Sequence, residues 1–418
     1  MKKLILCFFA ICVSLGLYSQ DFLSLNGLVE DSRTGDPMAL VSVNLHGTDI
    51  SIISNADGFF NLKVPCGTDP ESHVLVSYLG YLTADFTVND FLSLKPGEAL
   101  EIKMIPTSLH INPAVVRSIE PEILFASAFA NVRKNYHADP IGMTAFYREM
   151  VRKGSNRYLV LNEAVVDIEK AGYRGYNSDK AAIYKGRGSV NYQKSDSMTV
   201  KFQGGLYSAL ELDIVKDPFI GTTLQYATAV YDFSLGQIVS IEGKPFYALN
   251  FQPKPQADPL LFKGTLYIDT ESLAFGRMEF EMVLEGHEEE AAGIFVVKRP
   301  AKTIFGITNA KYILNFRESD GVWYFDYTRA DVSFYTRKRG SMFKTNYSVT
   351  GELAVTDHKK GEFHIKAEDR VKFKDILSEQ VEAFEDPDFW ESYNVIEPDQ
   401  SIDKAIKRII RQLKRRGD

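Results

Sequence analysis

Histidines and carboxylates at short spacing are the first candidates for chemistry in this sequence, because together they bind zinc in many hydrolases. His287 is followed by three glutamates, as in the His-Glu-x-x-His motif of zinc proteases, but the second histidine is missing. We therefore expect a solvated acidic loop there. His358, Glu362 and His364 could converge across a short turn, but an exposed hairpin tip is the favoured interpretation. The sequence thus predicts no metal ligands and no cofactor.

Motifs for nucleophilic catalysis and nucleotide binding are also incomplete. Cys66 is the one cysteine outside the N-terminal apolar segment. No base can be assigned to its thiol, so we expect a partly buried structural residue. No Gly-x-Ser-x-Gly elbow occurs, and Gly186-Arg187-Gly188 lacks the third glycine of a dinucleotide loop. With 55 carboxylates, a glycosidase-like pair cannot be named. The sequence therefore predicts no catalytic residues.

Length and composition bound the fold that must position these groups. The chain has 418 residues, of which 45% are hydrophobic and 25% charged, as in ordinary folded proteins. Aromatic residues make up 12%, and aromatic side chains favour half-buried sheet surfaces. The net charge of −7 argues against nucleic acid as a partner. We therefore expect a mainly β protein.

The first residues predict export from the cytoplasm. Two lysines precede an apolar run at residues 4–17, and Ser19 lies where cleavage would fall, so residues 1–19 are predicted to be a signal peptide. A membrane anchor is the alternative, but the run is short for a bilayer span. Lipid attachment at Cys12 is disfavoured because a bulky isoleucine precedes it. The predicted location is periplasmic or associated with the outer membrane.

Residues 20–107 predict a small β-sandwich. Turn formers separate short strands at regular spacing, which is typical of two packed antiparallel sheets. The predicted strands are 25–29, 40–45, 59–64, 74–79 and 100–104. Asn55 and Asp57 offer oxygens to a calcium ion, but too few cluster there for a hard cation. We expect a turn instead, in which Gly58 takes a positive φ.

Ordered motifs in this stretch also carry a family resemblance. They are Gly27-Leu28-Val29-Glu30-Asp31, Thr34-Gly35-Asp36-Pro37, Val41-Ser42-Val43, Gly47-Thr48, Asn55-Ala56-Asp57-Gly58-Phe59-Phe60 and Val76-Ser77-Tyr78-Leu79-Gly80-Tyr81. Together they resemble the carboxypeptidase-regulatory-like domain, a transthyretin-like β-sandwich abundant in envelope proteins of Bacteroidetes. In carboxypeptidases this domain accompanies the catalytic domain and does no chemistry. The resemblance therefore implies a fold and a binding surface, without peptidase activity.

Residues 108–140 predict a linker and a helix, and residues 141–375 predict a larger antiparallel domain. Pro121 suits the first turn of the helix, which should end near His137. Hairpins are predicted where turn residues separate alternating strands: 237–242 with 246–251, 264–269 with 277–282, and 312–316 with 322–327. The sum is a β-meander or partial barrel with flanking helices.

Two further resemblances concern this larger part. The motifs Ala130-Asn131-Val132-Arg133-Lys134-Asn135-Tyr136 and Ala145-Phe146-Tyr147-Arg148-Glu149, and the stretch from Phe389-Trp390 through Ile396-Glu397-Pro398, resemble segments of uncharacterised Bacteroidetes envelope proteins. Residues 264–282 are similar to paired strands of periplasmic lipoprotein carriers, whose half-barrels hold acyl chains. The second resemblance implies a lipid-carrying alternative.

Residues 376–418 predict an acidic, aromatic loop and then a basic amphipathic helix. The helix has an apolar stripe at helical spacing, formed by Ile402, Ile406, Ile409, Ile410 and Leu413. Burying each aliphatic side chain stabilises by about 1.5–3 kcal/mol, whereas a cation near anionic lipid contributes about 1 kcal/mol. We therefore expect the stripe to dock on the parent domain. Peripheral contact with a membrane is the alternative.

These observations predict a non-enzymatic binding or assembly protein of the cell envelope. Its expected partner is an envelope protein or a glycan, with lipid as a further candidate and nucleic acid excluded. The first alternative is a periplasmic lipid or lipoprotein carrier, which needs a deep cavity between sheet and helix. The second is a hydrolase with an unrecognised carboxylate site.

Overall fold

A computed structural model describes residues 22–107, 119–155, 157–175, 177–190, 205–216, 224–296, 300–359, 362–384 and 389–414. The predicted signal peptide, the predicted linker at 108–118 and the turn at 360–361 lie outside these residues. Strands account for 47% of the structure and helices for 16%, which confirms the mainly β fold class.

Two small sheets share one buried core in the N-terminal part. The first has the order β4-β1-β7 and the second the order β3-β2-β5-β6. Their strands are β1 (Phe22–Asp31), β2 (Ser42–Leu45), β3 (Ser51–Ile53), β4 (Phe59–Pro65), β5 (His73–Ser77), β6 (Ala84–Thr87) and β7 (Leu100–Met104). Val41, Val43 and Leu45 are buried together with Leu25 and Leu62 of the other sheet. Inward-facing apolar residues of both sheets therefore hold this part together.

The N-terminal sheets differ from the prediction in two respects. β1 and β7 pair in parallel, whereas we expected antiparallel sheets throughout, because a period of two reveals a strand but not the direction of its partner. β3, β6 and the short helix α1 (Val88–Leu92) were not predicted. Each is shorter than the window over which a hydrophobic period can be recognised.

A sheet of eleven strands follows, with β12 beside its main path. Its order is β10-β9-β8-β18-β17-β16-β15-β14-β13-β11, so the sheet is open and β10 and β11 form its edges. The strands are β8 (Ile141–Lys153), β9 (Arg157–Lys170), β10 (Lys180–Val190), β11 (Tyr231–Leu235), β12 (Val239–Ile241), β13 (Lys244–Pro253), β14 (Phe262–Asp269), β15 (Phe275–Met282), β16 (Thr303–Ser319), β17 (Val322–Lys338) and β18 (Thr345–Lys359). The three predicted hairpins are confirmed by the pairs β12–β13, β14–β15 and β16–β17.

Helices cover one face of the large sheet. They are α2 (Pro121–Ala130), α3 (Val132–Asn135), α4 (Gly205–Glu211) and α5 (Leu224–Val230). α6 (Glu288–Phe295) also packs on this sheet, through Ala291 and Ala292, and α7 (Gln400–Lys414) docks at a separate cluster. Pro121 lies in the first turn of α2 as predicted, and the helical segment is divided at Asn131. Buried residues such as Phe125 and Leu210 pack with Phe275 and Leu353 of the sheet. None of the described helices combines the length and apolar character that crossing a bilayer requires.

The C-terminal segment docks on the chain itself, as the stripe predicted. Ile402, Ile406 and Ile409 are buried against Met150 and Leu161 of the large sheet. We call residues 389–399 the C-terminal strap, because they run between the N-terminal sheets and the large sheet. Trp390, Val395 and Ile396 of the strap belong to the same buried cluster as the sandwich core.

Candidate functional site

A buried arginine network joins the strap to the large sheet. Arg148 on β8 has an exposed fraction of 1%. Its Nε donates to Glu163 Oε1 at 2.9 Å, its Nη1 to Glu352 Oε1 at 3.3 Å and its Nη2 to the carbonyl of Ile396 at 2.6 Å. Burial lowers the pKa of Arg148, but the two carboxylates outweigh burial and the net shift is upward. Since every nitrogen of the guanidinium is engaged within the protein, this network positions the strap rather than a ligand.

A second buried cluster surrounds Lys170 at the end of β9. Its Nζ lies 2.6 Å from Asp179 Oδ2 and 2.6 Å from Asp213 Oδ2, and the Tyr173 hydroxyl donates to the same Asp213 oxygen at 2.5 Å. Burial lowers the pKa of Lys170, but the two carboxylates raise it further than burial lowers it. A lysine nucleophile must be neutral, so this arrangement favours a fixed ion cluster over amine chemistry.

A small cavity of about 130 Å³ opens beside this cluster, lined by Asp179, Tyr207 and Lys216 among others. Lys216 Nζ is 3.0 Å from Asp179 Oδ1, so two of the residues that line the cavity form an ion pair with each other. Nearby, burial lowers the pKa of His137 to about 4. Its Nδ1 lies 2.9 Å from the carbonyl of Asp139, and the ring is therefore neutral at physiological pH.

The histidines singled out from the sequence are not brought together. His358 Nδ1 is 3.1 Å from Asp49, and His364 Nδ1 is 3.0 Å from Glu169. His358 is only 13% exposed, so the expected exposed hairpin tip is wrong at this residue, because β18 carries it against the N-terminal sheets. Among the described residues, histidine, cysteine, aspartate and glutamate form no group that could hold a metal ion.

Two other expectations need correction. The acidic run after His287 is the first turn of α6 rather than a loop, since three glutamates at a helix N-terminus interact favourably with the helix dipole. Cys66 is exposed rather than partly buried, because it lies in the turn that directly follows β4. Asn55 caps the turn as expected: its Oδ1 accepts bonds from the N–H groups of Asp57 and Phe59. Gly58 has φ +79°.

A larger groove of about 480 Å³ lies along the edge strand β10. The segment 368–382 forms its opposite wall, and both signs of charge line it. The cations are Lys185, Arg370 and Lys372, and the anions include Glu368, Asp369 and Asp375. Tyr184, which is 59% exposed, stands at the strand edge. No local sequence pattern predicts this groove, because its walls come from segments almost two hundred residues apart.

The protein's own chain occupies the β10 edge at both ends of the groove. The N–H of Val371 donates to the carbonyl of Ala181 at 2.8 Å. At the other end Glu382 pairs in parallel with Arg187, donating to Gly186 at 3.0 Å and accepting from Gly188 at 2.6 Å.

The two glycines permit this close approach. A Cβ on Gly186 or Gly188 would lie 2.5 or 2.8 Å from Val381 side-chain atoms. The Gly186-Arg187-Gly188 motif thus has a packing role in the structure. Glycines within a strand often mark the close approach of another backbone, but no strand was predicted at these residues.

Between these contacts, the backbone of Ile183 faces the groove. Alternate residues of an antiparallel strand direct their N–H and C=O groups to the same side. Because Ala181 accepts its bond on the outer side and the register with β9 is regular from Ala181 to Ile183, we infer that the groups of Ile183 also point outward, just before the bulge at Tyr184. Outside the strand ladders, no backbone bond to Ile183 is found within the described residues. The groove therefore presents backbone hydrogen-bonding groups, an exposed aromatic ring and charges of both signs.

No protein-family model matches the chain, and no curated protein matches it either. Among solved structures, the chain has a faint similarity to a DUF1329 family protein from Desulfovibrio piger. The match has a TM-score of 0.23 and 11% sequence identity, and it covers 57% of this chain and 92% of the other.

Proposed function

We propose that this protein is a non-catalytic binding or assembly protein of the cell envelope, and that it holds an extended segment of a partner polypeptide in the groove beside β10. One observation carries the proposal: the chain's own segments pair with β10 at both ends of the groove, while the outward backbone groups of Ile183 lie between them. The part of the edge between them, residues 182–185, is left for a short extended segment.

Strand addition to a sheet edge is a common mode of peptide recognition. Main-chain hydrogen bonds supply affinity, and pockets for alternate side chains supply specificity. Lys185, Arg370 and the acidic residues of the wall can contact peptide side chains of either charge. The exposed ring of Tyr184 offers a large contact area at low entropic cost. A polypeptide is therefore favoured over a glycan, because a glycan has no peptide groups that could form main-chain hydrogen bonds with this edge.

The non-catalytic part of the proposal is supported by the buried charges. Arg148 and Lys170 are engaged by carboxylates of the protein itself. The envelope location is supported by the predicted signal peptide and by the resemblance of residues 20–107 to carboxypeptidase-regulatory-like domains. Two small sheets with an Asn-Ala-Asp-Gly turn are compatible with that resemblance.

Peptide and glycan arrays probed with the purified protein test the proposal. We expect octapeptides to bind, and N-methylation of alternate backbone amides to abolish binding. Tyr184→Ala should weaken binding about fivefold or more, which corresponds to about 1 kcal/mol. The matched control is Tyr226→Ala, since Tyr226 is 53% exposed and does not line the groove.

The outcomes are distinct. Equal binding of N-methylated peptides would exclude strand addition. Binding to glycans alone would replace the polypeptide with a sugar. Cleavage of any bound peptide or glycan, abolished by one carboxylate substitution, would show that the protein is an enzyme.

A further inference from the structure

The hairpin between β17 and β18 ends in two strongly exposed apolar side chains. Met342 is 93% exposed and Phe343 is 88% exposed. They are the most exposed of the large hydrophobic residues in the described part of the chain. Adjacent large apolar groups kept in water at a hairpin tip mark an interaction site.

Cations surround this tip. Lys338, Arg339 and Lys344 flank it in the sequence. Lys302 lies beside them, since its carbonyl accepts a bond from the N–H of Arg339 at 2.8 Å. The tip and its cations therefore occupy one corner of the large sheet.

The hairpin between β8 and β9 lies beside this tip. Tyr347 at the start of β18 pairs with Lys153 at the end of β8, and Lys153 pairs with Arg157 at the start of β9. The N–H of Gly154 donates to the carbonyl of Asn346 at 2.9 Å. We call Met342 and Phe343, with Lys302, Lys338, Arg339 and Lys344, the basic sheet end.

Two carboxylates of α6 lie near this end, and each is engaged by a side chain of the protein. Glu289 Oε1 is 3.0 Å from Arg337 Nη2 and 3.4 Å from the Tyr335 hydroxyl. Glu290 Oε2 lies 2.8 Å from His287 Nδ1. Lys344 Nζ lies 3.9 Å from the centroid of the Tyr335 ring. Although the chain carries a net charge of −7, this corner places four cations, Lys302, Lys338, Arg339 and Lys344, beside an apolar tip.

We propose that the basic sheet end binds the surface of an anionic lipid bilayer. Met342 and Phe343 enter the interfacial layer, and the surrounding lysines and arginines contact lipid phosphates. Long cationic side chains can lie along apolar surface while their charged ends reach the headgroups. Apolar insertion combined with a basic patch is the two-part anchoring that peripheral membrane binding needs.

A second copy of the chain is the weaker candidate for the occupant of this surface. Pairing two such tips would bring the cations of both copies together, and like charges facing each other oppose association. The isoleucine stripe of α7 is also unsuited to this role, because Ile402, Ile406 and Ile409 are buried against the large sheet. The hairpin tip, rather than the helix stripe, supplies the apolar contact.

Sedimentation with vesicles tests the proposal. We expect the protein to bind vesicles of phosphatidylcholine with phosphatidylglycerol and to bind phosphatidylcholine alone at least about tenfold more weakly. Binding should fall as salt rises. Met342→Ser with Phe343→Ser, and separately Lys338→Glu with Lys344→Glu, should each reduce binding about tenfold or more.

The matched control is Leu82→Ser with Ile105→Ser. These residues are 50% and 55% exposed, they are joined by a backbone hydrogen bond of 2.9 Å, and they lie on the N-terminal sheets. Vesicle binding that is lost equally in this control would overturn the proposal. So would binding that survives both tip variants but is lost in Arg408→Glu with Arg411→Glu, since α7 would then be the membrane contact.

Self-association is checked by sedimentation without lipid. A dimer that dissociates on Met342→Ser with Phe343→Ser, without any vesicle binding by the wild-type protein, would assign the tip to a second copy. The proposal does not depend on the peptide groove. The tip variants should therefore leave peptide binding unchanged.

Discussion

Glu149 is a carboxyl group enclosed within the sheet. It is 1% exposed on β8 and is held by Asn162 Nδ2 at 2.7 Å and by the Tyr147 hydroxyl at 3.2 Å. Burial raises the pKa of Glu149 from its ordinary value of 4.5 to about 7, although both hydrogen bonds act in the opposite direction. A buried carboxylate without a cation costs free energy when it is charged.

Stability should therefore depend on pH through this residue. Folding takes up a proton between pH 4.5 and 7, because the folded group holds its proton more tightly. Below pH 4.5 the carboxyl group is neutral in both the folded and the unfolded protein, so its burial does not oppose folding. As the pH rises from 4.5 to about 7, the free energy of unfolding falls by about 3 kcal/mol in all. Glu149→Gln should remove this loss, so the variant should be more stable than the wild type at pH 8 but not at pH 4.5.

Urea unfolding at the two pH values measures the difference. Glu101→Gln serves as the control, since Glu101 is exposed on β7. An equal effect of Glu149→Gln at both pH values would mean that the carboxyl group does not titrate in the folded protein in this range.

At the scale of elements, the C-terminal strap pairs with a sheet edge through one side chain. Asn394 Oδ1 accepts from the N–H of Lys63 at 2.7 Å, and its Nδ2 donates to the carbonyl of Lys63 at 3.0 Å. The side-chain amide of Asn394 thus pairs with both backbone groups of Lys63, as a peptide group of a neighbouring strand would. The strap also closes over Lys63 Nζ, which donates to the carbonyl of Tyr393 at 3.0 Å.

Asn394→Ala should destabilise the protein by about 1–3 kcal/mol, because both backbone groups of Lys63 lose their partner. Hydrogen exchange at the amide of Lys63 should accelerate together with that of the strap. Asn89→Ala on α1 is the matched control, since Asn89 is exposed. If the amide of Lys63 remained as protected as in the wild type, the strap would not be holding this edge.

Elements set by local signals were predictable from the sequence, and those set by distant pairing were not. The hairpin β16–β17 follows from alternating residues around Asp320-Gly321, where Gly321 has φ +79°. The pairing of β8 with β18 joins Lys153 to Tyr347, and no local pattern specifies such a partner. The groove depends on a further distant contact, Glu382 with Arg187. The sequence therefore predicted the fold class of the protein but could not predict the groove.

At the scale of the molecule, the N-terminal sheets and the large sheet share one apolar core. Phe146, Val165 and Tyr327 of the large sheet are buried in the same cluster as the sandwich interior and the strap. Polar contacts follow the same boundary: Ser51 Oγ donates to the carbonyl of Val355 at 3.1 Å, and Arg317 Nη2 to that of Asp49 at 3.2 Å. A shared core of this kind couples the stability of the two parts.

We therefore expect a single unfolding transition, and we expect Trp390→Ala to shift it as a whole. Trp390 is 7% exposed and packs edge to face on Phe146, with ring centroids 5.7 Å apart. It also lies under Arg187, whose guanidinium carbon is 5.0 Å from the ring centroid. Truncation leaves a cavity where strap, sandwich and sheet meet, and buried tryptophan to alanine changes cost about 3–5 kcal/mol.

Calorimetry combined with hydrogen exchange should show protection lost together at β4 and at β8. Leu92→Ala, at a residue that is 42% exposed on α1, should change little. Two separate transitions, with Trp390→Ala lowering only one, would mean that the sandwich and the large sheet fold independently despite their common core.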